Sequence, residues 1–234
     1  MGTEPALLLV HGAYHGPWVW DRVIEQLPGV DVRTVACPSS GNDLGKLGTL
    51  QDDADVVVAA VGAIGGPVVV VAHSYAGAVV TQALAGASNV ERIVYLAAGM
   101  IDVGESLLGA AGGVPPSWWQ ISKNEGPDGG IIRVAVDEAA DVFYADVDPD
   151  LAAEAVTRLV PASYSSQTGP VSKAAWHRIP STYIVCTEDN AIPAFAQEAM
   201  AQRATNVHRV NSSHSPFLSM PAELAALLKS ELAL

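Results

Sequence analysis

The sequence predicts an α/β protein: a mostly parallel, doubly wound sheet carrying a small inserted cap. Three observations carry that prediction. Short apolar runs alternate with segments of helical periodicity over residues 6–98 and again over 181–232. The stretch PVVVVAHSYAGAVVTQAL, residues 67–84, passes from a valine run into an alanine-rich segment with no room for a loop between them. That reads as a fully buried parallel strand, a sharp turn and a helix. From Gly104 to about Lys173 the regularity is broken by Gly112-Gly113, Pro115-Pro116, Gly126-Pro127-Asp128-Gly129-Gly130 and Pro161. The expected division is a core of residues 1–103 and 174–234 and a cap of residues 104–173.

Taken in order, Ala6 to Val10 is a short apolar strand ending at His11-Gly12-Ala13, and Trp18 to Leu27 places Trp20, Val23, Ile24 and Leu27 on one helical face. Asp31 to Cys37 reads as the second strand, Pro38 to Gly48 as a loop, and Leu50 to Ile64 as a helix closed by Gly65-Gly66-Pro67. The valine strand and its helix follow, then a buried strand from Glu91 to Ala98. After the cap come a strand from Ser181 to Cys186, a helix reaching Arg203, a strand from Val207 to Val210, a loop, and a last helix from Pro221.

Composition bounds the function. Half of the 234 residues are hydrophobic, enough for a sizeable core. A net charge of −13, from 25 acidic and 12 basic residues, repels nucleic acid and anionic membrane surfaces and favours small-molecule chemistry. No run approaches the ~18 apolar residues of a membrane span, and the start lacks a basic leader region, so a cytoplasmic location is expected. Cys37 and Cys186 fall in predicted strands without metal-ligand spacing and read as buried thiols. No metal or organic cofactor is implied. The expected partner is a small-molecule ester, with neither nucleic acid nor membrane, and the chain is expected to be a monomer or a homodimer.

The chemistry gathers where strands end, which is where ligands of parallel sheets bind. Ser74 sits at the tip of the strand-to-helix turn, so its hydroxyl is pushed out above the sheet edge. The usual elbow is G-x-S-x-G; here Ala72 and Ala76 flank it, with Gly77 one place on. The alternative reading of Ser74 is a helix cap. Asp189 follows one late strand and His214 the next, giving the order serine, acid, histidine. A hydroxyl needs a base within hydrogen-bond reach, and the base needs a carboxylate to fix its tautomer. Glu188 and Asp102 are rival acids; His11 and His73 read as packing residues and His177 and His208 as structural or exposed. An oxyanion hole needs two backbone donors, expected at Tyr75 and Ala13. Trp118, Trp119, Phe143 and Tyr144 are expected to line an apolar pocket under the cap, or else to form the cap's own small core. Since the base must be neutral, activity should fall on acidification.

With LLLVHGAYHGPWVWDRV at residues 7–23, VVVVAHSYAGAVV at 68–80, RIVYLAAGMIDVGESLL at 92–108, STYIVCTEDNAIP at 181–193 and SSHSPFLSMPAELAALL at 212–228, the chain resembles the α/β-hydrolase superfamily. Within it, the resemblance is to the salicylate esterase, plant methylesterase and hydroxynitrile lyase group. It implies an α/β-hydrolase fold, Ser74 as nucleophile, His214 as base, Asp189 as its partner, and the Ala13 and Tyr75 amides as oxyanion hole. Lyase members differ by a Thr where this chain has Gly12 and a Lys where it has Ser215. That favours a serine esterase acting on small hydrophobic or aryl carboxylic esters through an acyl-enzyme. The alternatives are a cofactor-free lyase, a lactone- or thioester-processing enzyme on the same triad, or a non-catalytic small-molecule binding protein.

Overall fold

In the computed structural model, residues 4–127 and 129–233 are described; Met1–Thr3, Asp128 and Leu234 lie outside them. The first strand, β1 (Ala6–Val10), is buried along its whole length, as an apolar run flanked on both edges must be. The predicted helix after it divides into a 3-10 turn at Pro17–Trp20, with Pro at its start, and a short α1 (Asp21–Glu25). Gly29, at φ 85°, then turns the chain into β2 (Val32–Val35). Cys37 lies just past β2 rather than within it, but both cysteines are free and buried as expected. Helix α2 (Leu50–Ala63) opens with a capping box, Thr49 accepting from Asp52 N while the Asp52 carboxylate accepts from Thr49 N.

Strand β3 (Val68–His73) is fully buried and passes through Ser74 and Tyr75 into α3 (Ala76–Ala83), and β4 (Val90–Leu96) follows. Next come α4 (Leu107–Ala110), β5 (Trp119–Ser122), β6 (Ile131–Val134), α5 (Val136–Phe143), α6 (Pro149–Thr157), β7 (Ala162–Ser163) and α7 (Tyr164–Thr168). Regular alternation resumes with β8 (Ser181–Cys186), α8 (Ala194–Ala201) and β9 (Asn206–Val210), then a single-turn α9 (Pro216–Ser219), expected as loop, and α10 (Pro221–Leu232).

The main sheet runs β2-β1-β3-β4-β8-β9, and every pairing in it is parallel. Its inner strands β1, β3 and β8 are buried throughout, whereas the edges β2 and β9 are partly exposed. From β1 the chain first adds a strand on one side and then returns to the other, so the order reverses between β1 and β3. The carboxyl ends of those two strands flank the crevice where a ligand of such a sheet binds. They end at His11-Gly12-Ala13 and at Ser74.

Residues 104–173 fold on this edge as short helices around a second, antiparallel sheet, β5-β6-β7, that the sequence did not announce. The segment's two ends meet: Gly104 N donates to Val171 O at 2.8 Å and Val171 N to Glu105 O at 2.9 Å. Its β7 is stitched to the loop after β2, where Ser163 N donates to Ser39 O at 2.8 Å and Gly41 N to Pro161 O at 2.9 Å. No helix among the described residues is long and apolar enough to cross a membrane.

Candidate active site

Ser74 takes φ 55°, a left-handed conformation that costs a non-glycine residue about 1–3 kcal/mol. Neighbouring strands and helices hold it there. Its N–H donates to Leu96 O at 3.2 Å, and its carbonyl accepts from Gly77 N at 3.1 Å and Gly99 N at 3.0 Å. The close approach that glycine-flanked elbows make possible is displaced by one residue: a Cβ on Gly77 would lie 2.7 Å from Gly99 N and O. Ala72 and Ala76 are themselves fully buried, so methyl groups fit where the usual pattern has glycine.

His214 Nδ1 donates to Asp189 Oδ2 at 2.7 Å, and both residues are buried. This leaves Nε2 as the ring's lone-pair nitrogen, and His214 and Ser74 line the same cavity. The two side chains make no direct hydrogen bond among the described residues. Asp189 Oδ1 accepts from Ala191 N at 2.7 Å and Ile192 N at 2.8 Å, while Oδ2 also accepts from Gln197 Nε2 at 2.8 Å. Of the rival acids, Asp102 pairs with His177 at 3.1 Å, and Glu188 contacts the Thr187 hydroxyl. Neither reaches His214.

The Ala13 and Tyr75 amides, at the ends of β1 and β3, donate to no group among the described residues, and both residues line the cavity. The peptide that carries the Ala13 N–H also carries the Gly12 carbonyl, and His11 Nδ1 donates to that carbonyl at 2.8 Å. His11 Nε2 in turn accepts from Cys37 N at 3.0 Å, which fixes the imidazole on both sides. Burial pushes its pKa down to about 4, so the ring is neutral and its tautomer single. His15 is treated the same way: burial lowers it to about 3, Nδ1 donates to Ala13 O at 2.7 Å, and Nε2 accepts from the Tyr144 hydroxyl at 2.7 Å. His73 Nε2 donates to His214 O at 2.9 Å, tying the residue before the elbow to the loop that carries His214.

The cavity encloses about 470 Å³ and is lined mainly by apolar side chains, Tyr14, Leu107, Trp118, Phe143, Phe195 and Met200 prominent among them. Of the aromatic residues expected to line a pocket, Trp118, Trp119 and Phe143 do so. Tyr144 does not: its hydroxyl is drawn away to His15, and its ring packs edge-on against that imidazole. Sequence reasoning missed Gln197 and Asp53, both fully buried behind the site. Their polar character carried no periodic signal, and a second acid after Asp52 reads as ordinary first-turn charge. Among the described residues, no group of three or more His, Cys, Asp or Glu side chains could hold a metal.

Residues 7–227 match the model of the alpha/beta hydrolase family. An alpha/beta hydrolase of Aspergillus novofumigatus is 29% identical over 97% of this chain and 96% of its own length. Methylesterase 7 of Arabidopsis thaliana is 28% identical over 97% of this chain and 95% of its own. Among solved structures, polyneuridine aldehyde esterase superposes with a TM-score of 0.85 over 98% of this chain and 99% of that one, at 20% identity, a likeness of fold alone. With the parallel sheet, the elbow after β3 and this match over almost its whole length, the chain belongs to the α/β hydrolase family.

Proposed function

We propose that the protein is a serine hydrolase that cleaves small hydrophobic or aryl carboxylic esters, methyl esters among them, through an acyl-enzyme. The observation that carries the reading is the pairing of a left-handed Ser74 with a buried, Asp189-bonded His214 on one apolar cavity. The methylesterase name of the Arabidopsis relative supports the choice of ester.

In this reading the Ser74 hydroxyl attacks the ester carbonyl while His214 Nε2 takes its proton, and Asp189 stabilises the imidazolium. The carbonyl oxygen, now an alkoxide, accepts from the Ala13 and Tyr75 N–H groups; each such donor is worth about 3–4 kcal/mol in comparable sites. Collapse breaks the bond to the alcohol, which leaves with the proton from His214. Water then attacks the acyl-enzyme with His214 again as base, and the acid is released as the proton returns to Ser74. Residues 104–173 act as a cap, and Trp118, Trp119 and Phe143 contact the substrate. A volume of about 470 Å³ and a chain of net charge −13 favour an uncharged substrate of modest size.

The test is steady-state and burst kinetics on a panel of p-nitrophenyl and aryl methyl esters, with the native chain beside Ser74→Ala. Turnover should drop at least 10³-fold in the variant, with no burst, as loss of a nucleophile requires. Equal turnover in both would remove Ser74 from the chemistry.

A further inference from the structure

We infer that Asp53 is a positioning residue for the oxyanion hole, its carboxylate anchoring the Tyr75 side chain and so fixing the direction of the Tyr75 N–H. This rests on the serine-hydrolase reading above. Asp53 lies in the first turn of α2 and is fully buried. The Tyr75 hydroxyl donates to Asp53 Oδ2 at 2.6 Å, and Ser39 N donates to Oδ1 at 2.8 Å.

No Lys or Arg pairs with Asp53 among the described residues, so the carboxylate is held in the interior by these two donors and no cation. Burial pushes its pKa up to about 6, only partly offset by the Ser39 and Tyr75 hydrogen bonds. A buried group with that penalty is a poor device for stability alone, since an apolar residue of similar volume removes the desolvation cost outright. The neighbouring inward positions of α2 do carry apolar residues, Ala54, Val57 and Val61.

The placement of Tyr75 explains what the carboxylate is for. Tyr75 immediately follows the strained Ser74, and its own backbone is already helical at φ −51°, ψ −38°. Its ring is buried beside the cavity while its hydroxyl reaches back to α2, so the residue is pinned at its backbone and at its far end. Rotation of the Ser74–Tyr75 peptide, which would turn the N–H away from the cavity, breaks the bonds that the Ser74 carbonyl accepts from Gly77 N and Gly99 N, and the bond from the Tyr75 hydroxyl to Asp53 opposes the shift of the Tyr75 Cα that would go with it. The same carboxylate holds Ser39, whose carbonyl accepts from Ser163 in β7. A single buried acid thus ties the cap strand to the residue whose amide faces the reacting carbonyl.

The experiment compares the native chain with Asp53→Leu, Tyr75→Phe, the double variant and the conservative Asp53→Asn, on the ester turned over best. It reads kcat, KM, Tm and the inhibition constant of an aryl trifluoromethyl ketone, whose hemiketal oxyanion occupies the hole. Each disruptive single variant should lower kcat about tenfold, a barrier change of ~1.4 kcal/mol. KM should stay within about twofold and the inhibition constant should rise in parallel with the loss in kcat. The double variant should be no worse than either single one, because all three lose the same interaction. Asp53→Asn, which keeps an acceptor for Ser39 and a hydrogen bond to Tyr75, should recover most of the rate. Because Asp53→Leu removes a buried charge, its Tm should not fall in proportion to its activity.

Unchanged kcat and inhibition constant in folded Tyr75→Phe would overturn the inference, as would losses that multiply in the double variant. If Asp53→Leu does not fold, Tyr75→Phe, which removes one oxygen, decides alone. Ser74→Ala in the same assay separates the two levels: turnover persisting there, or none in the native chain, overturns the serine-hydrolase reading and this one with it. Turnover lost in Ser74→Ala but intact in Tyr75→Phe overturns the role of Asp53 only.

Discussion

Gly12 shows how little space the chain leaves around Ser74. A Cβ built there would lie 2.9 Å from Ser74 Cβ and 2.9 Å from His73 Nδ1, closer than real methyl groups approach their neighbours. His73 is fully buried and its Nε2 is bonded to the His214 carbonyl, so the ring cannot yield without moving His214. Gly12→Ala is therefore expected to displace Ser74 or His214 by tenths of an ångström, and misplacements of that kind are costly when reacting groups must align. The expected outcome is a fall of tenfold or more in kcat, alongside a loss of about 1–3 kcal/mol in stability from overpacking. Ester kinetics with urea unfolding check both, and an alanine variant with native kcat would show that the elbow has slack. The same contact bears on larger residues at this position: a branched side chain such as Thr would need the histidine and serine to be placed differently.

At the scale of elements, each strand end delivers one part of the site and one helix holds it still. The fully buried Gln197 of α8 accepts from Cys186 N at 3.0 Å through Oε1, and its Nε2 lies 2.8 Å from Asp189 Oδ2, 2.7 Å from Ile192 O and 3.3 Å from Cys186 O. It thereby clamps the loop after β8 that bears Asp189. With two hydrogens for three acceptors, Nε2 is saturated. Gln197→Leu leaves the Cys186 amide and the Asp189 carboxylate each short of a partner, and a loss of about 2–3 kcal/mol in stability is expected from the stranded buried groups. Activity should drop more than tenfold with KM little changed, because Asp189 no longer holds His214 in one orientation; a kcat within twofold of native would assign Gln197 to the fold alone. None of this clamp was legible in the sequence. The elements themselves were, because valine runs, glycine breaks and helical spacing are local signals: Leu50–Ala63 and Ser181–Cys186 begin and end within a residue of their sequence-based limits. The antiparallel sheet of residues 104–173 was not, since its strands are short and their connection turns on Gly126, Gly129 and Gly130, all at positive φ, which composition reads only as a loop. Ser74, His214 and Asp189 were visible because each follows a strand in a recognisable order. Gln197, Asp53 and the turning away of Tyr144 depend on which side chains the tertiary fold buries, and that is not written in spacing.

For the whole molecule, the buried histidines set the response to acid. His11, His15 and His73 surround the ends of β1 and β3, and burial holds His11 at about 4, His15 at about 3 and His73 well below its ordinary value. A histidine depressed in the folded state contributes stability that is present above the unfolded value near 6.5 and lost as pH falls toward the folded one. For His11 and His15 that loss is on the order of 3 kcal/mol each by pH 4. Asp53 acts with the opposite sign. Raised to about 6 by burial, with Asp52 adding to the rise and the Ser39 and Tyr75 hydrogen bonds opposing it, it destabilises the fold as pH climbs from about 4 to 6. Acidification across that window therefore returns about 2 kcal/mol. Relief of repulsion among the 25 acidic residues also works against acid unfolding, but those charges are largely at the surface and screened at ordinary salt. Two quantified imidazoles outweigh one carboxylate, and His73 adds in the same direction. Set against a total stability of about 5–15 kcal/mol, this balance predicts that the urea midpoint at 0.15 M salt falls steadily from pH 7 to pH 4, with unfolding in buffer alone setting in near the lower end. His15→Asn should flatten the slope between pH 6 and pH 4, while Asp53→Asn should steepen it by removing the compensating term. A midpoint that holds constant or rises on acidification through this range would mean that the imidazoles around the sheet edge are reached by water and protonated in the folded protein, and the tight packing beneath the elbow would have to be given up.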